Sequence, residues 1–282
     1  MIAKDYITAW RAQAPWISDH QVEQDLIISR ALVQIFGVAE IGRRLAFRGG
    51  TALYKLYLRP AARYSEDIDL VQVAPEPIGD TFDVVRTVLD PWLGTPRRDL
   101  KEGRVNLIYQ FSSEDQPPKA LRLKVEINSR EHFTEHGHVT VPFAVESEWW
   151  SGKAEITTYS LDELLGTKLR ALYQRRKGRD LFDIWLALTS GGASAERVVS
   201  CLERYLREEG RRVTRAAFEE NLAGKLTDPV FRGDITGLLR PGFAWDVDAA
   251  GAYVMENLLT RLDGEPWKGT ANANTIVGVG DA

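Results

Sequence analysis

A glycine pair before a helical pattern, followed by two aspartates in alternate positions, constrains the fold of this chain more than any other feature. Gly49 and Gly50 end a short apolar segment, and residues 51–58 then follow a helical pattern. Asp67 and Asp69 interrupt the next apolar segment. Because side chains alternate along a β-strand, the two carboxylates share one face and their apolar neighbours point to the other. The pattern predicts a strand, a glycine turn and a helix beside a second, acidic strand.

This arrangement predicts a site for a divalent metal ion and phosphate. Carboxylate oxygens, such as those of Asp67 and Asp69, are the hard ligands that Mg²⁺ prefers. Gly49 and Gly50 lack side chains, so that phosphate can approach the backbone, and the N–H groups at a helix start can bind phosphate oxygens. The two patterns are informative together, because each of them alone is common.

The remaining patterns predict an α+β fold with a mixed sheet. Alternation of apolar and polar residues predicts strands over 105–111, 121–127, 139–143 and 156–159. Helical spacing dominates from Ser160, which forms a capping box with Glu163, and Gly178 is expected to end that helix. We therefore expect an α+β lobe over residues 1–155, a helical lobe over 156–263 and a flexible tail over 264–282.

Composition excludes several classes of protein. No apolar run approaches the ~20 residues that a membrane helix needs, and the first residues lack the apolar stretch of a signal peptide. The only cysteine among the 282 residues is Cys201, which excludes an internal disulfide framework and favours a cytoplasmic location. The formal net charge of −4 means that any contact with nucleic acid must come from a local basic patch.

Two sequence blocks resemble a known family. The first is Gly-Gly-Thr-Ala-Leu-x-Lys from Gly49, followed by Arg-x-Ser-x-Asp-Ile-Asp-Leu from Arg63. The second contains Thr167-Lys168-Leu169-Arg170-Ala171-Leu172 and then a basic segment that ends in Asp180-Leu181-Phe182-Asp183. Together they resemble the AbiEii-type nucleotidyltransferase toxins, which include the MenT toxins of mycobacteria.

The resemblance implies a nucleotidyltransferase-like fold, with the active-site cleft between the two lobes. It also implies a Mg²⁺-dependent enzyme that transfers nucleotides from a nucleoside triphosphate to the 3′ end of tRNA and so blocks translation. A separate antitoxin protein would be its partner. Two alternatives stay open at this point. The enzyme could transfer nucleotide or phosphate to a protein or a small molecule, or the chain could be a catalytically inactive RNA-binding module.

Three further residues are candidates for the chemistry. Glu126 lies on a predicted strand and could be the third metal ligand and the proton acceptor, although a salt bridge to Arg122 or Lys124 would explain it equally simply. The resemblance makes Lys168 and Asp183 a catalytic pair, with the alternative that Lys168 is a solvated helix lysine. Asp180 is interpreted mainly as a helix N-cap.

Nucleotide binding is predicted for Gly49, Gly50, Thr51, Arg48 and Ser65, and Arg63 also flanks this site. Ser65 is either a loop cap or a control point, since phosphorylation there would add negative charge beside Asp67 and Asp69.

An RNA-binding patch is predicted at Arg175, Arg176, Lys177 and Arg179. The spacing of His132, His136 and His138 fits no zinc pattern, so a metal site there is not expected.

Overall fold

The chain folds into a seven-stranded mixed sheet followed by a bundle of helices, in a computed structural model that describes residues 2–190 and 192–269. The first part contains α1 Lys4–Trp10, α2 Asp19–Phe36, α3 Ile41–Arg44, β1 Leu45–Arg48, α4 Gly49–Ala52 with a π-helical turn Leu53–Tyr57, β2 Asp67–Gln72 and α5 Ile78–Leu93. Five strands follow: β3 Arg97–Lys101, β4 Arg104–Ser112, β5 Ala120–Asn128, β6 His138–Glu146 and β7 Ser151–Tyr159. The helices after the sheet are α6 Leu161–Gln174, α7 Gly178–Ser190, α8 Ala195–Glu208, α9 Arg215–Leu226, α10 Pro229–Gly233 and α11 Val247–Asn257, with a last 3₁₀ turn Leu259–Arg261.

The strands lie in the order β3-β4-β5-β2-β1-β7-β6. The pairs β2–β5 and β1–β7 are parallel, and the other neighbouring strands are antiparallel. The predicted α+β fold with a mixed sheet is therefore confirmed. The central strand, β2, carries the aspartates, and its neighbour β1 leads into the glycine turn.

The two faces of the sheet differ in polarity. On β2, Ile68 and Leu70 are buried in the hydrophobic core, whereas Asp67 and Asp69 point to the other face. The core face packs against α2, which begins at a capping box formed by Ser18 and Gln21, where the Ser18 N–H donates to Gln21 Oε1 at 3.3 Å. Burial of this face holds the acidic residues on the opposite side of the sheet, since a slip of one residue would reverse both faces.

Gly178 does not end α6, contrary to the sequence prediction. α6 ends at Gln174, and Gly178 is the first residue of α7. A Cβ at Gly178 would lie 2.1 Å from the carbonyl oxygen of Phe231, so the glycine permits close packing of α7 against α10. The glycine therefore reflects a tertiary contact, which local sequence patterns do not reveal.

The predicted lobe boundary near residue 155 stays a prediction, because one hydrophobic cluster includes residues from the sheet and from the later helices. Of the tail predicted over 264–282, residues 270–282 lie outside the described part of the chain. Within the described residues, the Trp267 N–H donates to Glu219 Oε2 at 2.7 Å. No helix among those residues is both long and apolar enough to span a membrane.

Candidate active site

The glycine turn is packed against the acidic strand. Gly49 has φ +83°, a conformation that side chains strongly disfavour, and a Cβ there would lie 2.3 Å from Asp69 Oδ2. The Thr51 hydroxyl donates to the carbonyl oxygen of Asp67 at 2.5 Å and lies 2.8 Å from the Ser65 hydroxyl. These contacts fix the start of α4 beside both aspartates, and they tie the Thr51 side chain to the strand rather than leaving it open.

Asp67, Asp69 and Glu126 lie together on one face of the sheet. In the parallel register of β2 and β5, Asp69 pairs with Glu126 and Asp67 pairs with Lys124. The Lys124 ammonium lies 3.1 Å from Asp67 Oδ2 and 3.4 Å from Glu126 Oε2. Burial, and then the negative charge of Asp67, raises the pKa of Asp69. Arg104 Nε also lies 3.4 Å from Glu126 Oε1, so two cations only partly offset the negative charge of the three carboxylates.

The donor set suits a divalent cation, although the carboxylates do not converge as ligands. Within residues 2–190 and 192–269, no group of three acidic, histidine or cysteine side chains is arranged to hold a metal ion. Lys124 instead lies between Asp67 and Glu126. Three carboxylates on adjacent strands still provide the oxygen ligands and the excess negative charge that Mg²⁺ requires, once the ammonium moves aside.

A buried carboxylate, Asp183, joins the loop before β2 to α7. Arg63 donates to it twice, from Nε to Oδ1 at 2.7 Å and from Nη2 to Oδ2 at 2.6 Å. The Tyr54 hydroxyl donates to Oδ1 at 2.7 Å, and Lys168 Nζ lies 3.0 Å from Oδ2. Burial alone would raise the pKa of Asp183, but the charges of Arg63 and Lys168 hold it well below its usual range.

A second buried carboxylate, Asp180, shares Lys168 with Asp183. Lys168 Nζ lies 3.1 Å from Asp180 Oδ1, and Arg175 donates to both Asp180 oxygens at 2.7 and 2.8 Å. Lys168 is 8% exposed, so the alternative of a solvated helix lysine is wrong. Asp180 is not the helix N-cap that the sequence suggested, because α7 already begins at Gly178; its carboxylate instead binds two cations. With Arg63, the network holds three cations against two carboxylates and carries a net charge of +1.

This charged network, formed by Arg63, Lys168, Arg175, Asp180 and Asp183, lies next to the glycine turn and the acidic strand. A Cβ at Gly50 would lie 2.5 Å from Arg63 Nη2 and 3.1 Å from Ser65 Oγ. Hydrogen bonds to Asp180 raise the pKa of Arg175, and the charge of Asp69 contributes to the same shift. The network therefore places positive charge beside the carboxylates of β2.

The other predicted binding residues are engaged in ion pairs. Arg48 contacts Glu131, which also lies 2.7 Å from Arg170 Nη1. Each residue of the predicted RNA patch has an acidic partner within 4 Å: Arg175 pairs with Asp180, Arg176 with Asp228, and Lys177 and Arg179 with Asp234. The positive charge available at this corner is consequently smaller than the sequence suggests.

The salt bridge of Glu126 to Lys124, which the sequence offered as an alternative, is present. Sequence reasoning missed the contact of Lys124 with Asp67 and the role of Tyr54, and it gave too little weight to Arg63. Arg63 had a usable signal, because it belongs to the same block as Asp67 and Asp69. Tyr54 follows Gly50 by one helical turn, but nothing in the sequence links it to Asp183, which is 129 residues away.

Comparisons with known proteins agree with this geometry. Residues 30–252 match the family model described as the nucleotidyl transferase AbiEii toxin of type IV toxin–antitoxin systems. No curated protein sequence compared with the chain matches it. The structure is similar to that of MenT4, a nucleotidyltransferase toxin from Mycobacterium tuberculosis, with a TM-score of 0.62, 17% identity, and coverage of 93% of this chain and 91% of that one.

A candidate nucleotidyltransferase from H. pylori is also similar, with a TM-score of 0.51, 16% identity, and coverage of 86% of this chain and 96% of that one. At these identities the structural likeness shows the fold alone. The family model covers most of the chain, and residues of the two sequence blocks that carry the resemblance contact one another. The chain therefore belongs to the AbiEii family of nucleotidyltransferase toxins of toxin–antitoxin systems.

Proposed function

We propose that this chain is a Mg²⁺-dependent enzyme that transfers nucleotides from a nucleoside triphosphate to the 3′ end of tRNA and thereby blocks translation. The observation that carries the proposal is the placement of Asp67, Asp69 and Glu126 on adjacent strands beside Gly49. A cytoplasmic location and neutralisation by an antitoxin protein follow from membership of a toxin–antitoxin family, and they belong to the same proposal.

In this mechanism, the glycine turn and the charged network bind the triphosphate. The N–H groups of the first helical turn have no acceptors within the helix, so phosphate oxygens can accept from them near Gly49 and Gly50. Lys168 and Arg175 place positive charge on the same side and favour the build-up of negative charge on the leaving pyrophosphate. Asp180 and Asp183 hold Lys168 in position through contacts of 3.1 and 3.0 Å.

The acidic residues orient the ion and the acceptor. Asp67, Asp69 and Glu126 would hold Mg²⁺, which supplies charge stabilisation for the attacking and leaving oxygens. The 3′ hydroxyl of the acceptor attacks the α-phosphorus, the bond to pyrophosphate breaks, and Glu126 accepts the hydroxyl proton. Lys124 contacts Asp67 and Glu126, so its ammonium would have to move for these carboxylates to hold an ion.

Nucleotide transfer with labelled substrates tests the proposal. The protein is incubated with each α-labelled nucleoside triphosphate, Mg²⁺ and total RNA, and the labelled product is identified by size and by nuclease digestion. We expect label at the 3′ end of tRNA, loss of labelling with EDTA, and loss of aminoacylation of the labelled tRNA. Label on protein or on a small molecule would instead establish the other transferase class. No turnover with any of the triphosphates would indicate an inactive binding module.

A further inference from the structure

The half of the sheet beyond Glu126 continues the face that carries the aspartates. From β2 outward the strands are β5, β4 and β3, and Glu126 pairs across β4 and β3 with Asn106 and Asp99. Residues that pair directly point to the same side of a sheet. The register therefore extends the acidic face of β2 across three more strands, as far as the edge of the sheet.

Basic residues occupy the rows on both sides of the Glu126 row. On one side, Lys124 pairs with Ile108, which pairs with Arg97, and in the next row Arg122 pairs with Gln110. On the other side, Asn128 pairs with Arg104, which pairs with Lys101. We call the set Arg97, Lys101, Arg104 and Arg122 the basic sheet face. On β3 and β4, Asp99 is the one acidic residue on the same face of the sheet as Glu126. This strong local excess contrasts with the chain's formal net charge of −4.

The basic sheet face is open to solvent. The side chains of Lys101 and Arg104 are 68% and 54% exposed, and Arg97 and Arg122 are also exposed. Among the described residues, Arg97 and Arg122 form no side-chain hydrogen bond or ion pair. The opposite face of β4 and β5 is buried in the core, as Leu107 and Val125 show. Lys101 and Arg104 do pair, with Asp99 at 3.8 Å and Glu126 at 3.4 Å. Arg97 and Arg122 therefore differ from the cations at residues 175–179, each of which has an acidic partner.

We propose that the acceptor RNA strand leaves the active site over the basic sheet face. The inference rests on the proposed function and extends it by giving the path of the acceptor. The glycine turn, which binds the triphosphate, follows β1 on one side of β2, and Glu126 on β5 lies on the other side. An acceptor hydroxyl that reaches Glu126 opposite the triphosphate must therefore come from the side of β4 and β3.

The dimensions and the charges fit a short length of RNA backbone. β5 and β3 are two strand spacings apart, which is a distance of about 10 Å. A stacked nucleic-acid strand has one phosphate for roughly each 3.4 Å of its length, so this distance corresponds to about three phosphates. Arginine and lysine side chains that contact phosphates fix the register of a nucleic acid without reading its bases. The basic sheet face would thus hold the last nucleotides before the 3′ end and present the terminal hydroxyl to Glu126.

The test compares two double variants that remove the same charge at different places. Arg97→Gln with Arg122→Gln neutralises two unpaired arginines of the basic sheet face. The matched control, Arg43→Gln with Arg212→Gln, neutralises two exposed arginines that also form no side-chain ion pair within the described chain. Arg43 lies at the opposite end of β1 from Gly49, and Arg212 lies between α8 and α9. All four side chains are exposed, so equal melting temperatures are expected.

Affinity for a purified tRNA is measured over a range of salt concentrations, and transfer is measured with varied tRNA and varied triphosphate. For the variant with Arg97→Gln and Arg122→Gln, we plot the logarithm of the association constant for tRNA against the logarithm of the salt concentration. We expect the slope of this plot to become shallower by about 1.4, which corresponds to two lost contacts with phosphates of a single strand. The KM for tRNA should rise while the KM for the triphosphate stays unchanged. The control should keep the slope and both KM values of the wild type.

Equal slopes in the two variants, with labelling of RNA by the wild type, would overturn the acceptor path and leave the proposed function standing. A rise in the KM for the triphosphate equal to the rise for tRNA would also overturn the path, because it would place these arginines at the nucleotide. Failure of the wild type to label RNA would overturn the proposed function itself, and the labelling of wild-type reactions distinguishes that result from the other two.

Discussion

The sharpest test of the buried network removes one donor of Asp183 at a time. Arg63 supplies two of its hydrogen bonds, and Arg63 and Asp183 are only 2% and 0% exposed. Arg63→Met keeps much of the side-chain volume but leaves the carboxylate with Tyr54 and Lys168. Removing one partner of a buried ion pair costs about 3–5 kcal/mol. We expect the free energy of unfolding to fall by that amount.

Lys168→Met should destabilise the fold less and impair catalysis more. Without Lys168, Asp183 still accepts from Arg63 and Tyr54, and Asp180 still accepts two bonds from Arg175. The expected loss of stability is about 1–3 kcal/mol, the cost of one hydrogen bond to a charged group. The kcat/KM for transfer should fall by at least about 30-fold, which corresponds to about 2 kcal/mol of transition-state stabilisation.

Denaturant unfolding near neutral pH measures these differences, because a change in midpoint at constant slope reports stability alone. The double variant Arg63→Met with Asp183→Leu serves as the control. It should recover most of the stability lost in Arg63→Met, because it removes the unpaired buried carboxylate together with its partner. The reasoning would be refuted if Arg63→Met were no less stable than Lys168→Met. It would also be refuted if the double variant lost more free energy of unfolding than Arg63→Met and Asp183→Leu lose together.

Three other outcomes are expected. Asp67→Ala or Asp69→Ala should abolish transfer without lowering the melting temperature, because relief of their mutual repulsion offsets any lost contact. Turnover at the wild-type rate in these variants would contradict the assignment of the two aspartates to the active site. Since Arg63 and Lys168 hold the pKa of Asp183 below its unfolded value of about 3.9, the stabilisation is complete above about pH 5 and is lost as the pH falls through the folded pKa. Acid unfolding monitored by circular dichroism should therefore begin at a higher pH in Arg63→Met than in the wild type. Ser65→Glu should be inactive and Ser65→Ala active, because Ser65 borders the glycine turn; an active Ser65→Glu enzyme would remove the charge argument.

Strict alternation predicts two of the strands over nearly their full length. β4 and β5 bury most of one face, so their apolar residues recur at every second position over Val105–Phe111 and Leu121–Ile127. β3 was not predicted, because Arg97–Lys101 is polar at nearly every position and forms a strand by pairing with β4 at the sheet edge. The π-helical turn Leu53–Tyr57 likewise has no sequence signal distinct from that of an α-helix.

The candidate site was predictable where local geometry determines it. Alternation alone put Asp67 and Asp69 on one face, and the same argument put Glu126 on the polar face of its strand. The bonds of Arg63 to Asp183 span 120 residues, and only tertiary packing brings them together. Ion pairing also changed the interpretation of Arg176 and Lys177, whose acidic partners Asp228 and Asp234 lie far along the chain.

The long sequence separation between Arg63 and Asp183 has a consequence for synthesis of the chain on the ribosome. The three carboxylates of the candidate site that lie on the sheet, Asp67, Asp69 and Glu126, are translated before residue 130, whereas Lys168 and Asp183 emerge later. At about 5–20 residues per second, the 120 residues that separate Arg63 from Asp183 require roughly 6–24 s. During that interval the nascent toxin holds its acidic residues without the helix that completes the site. We therefore expect an unfinished chain, which lacks Lys168 and Asp183, to be inactive in nucleotide transfer.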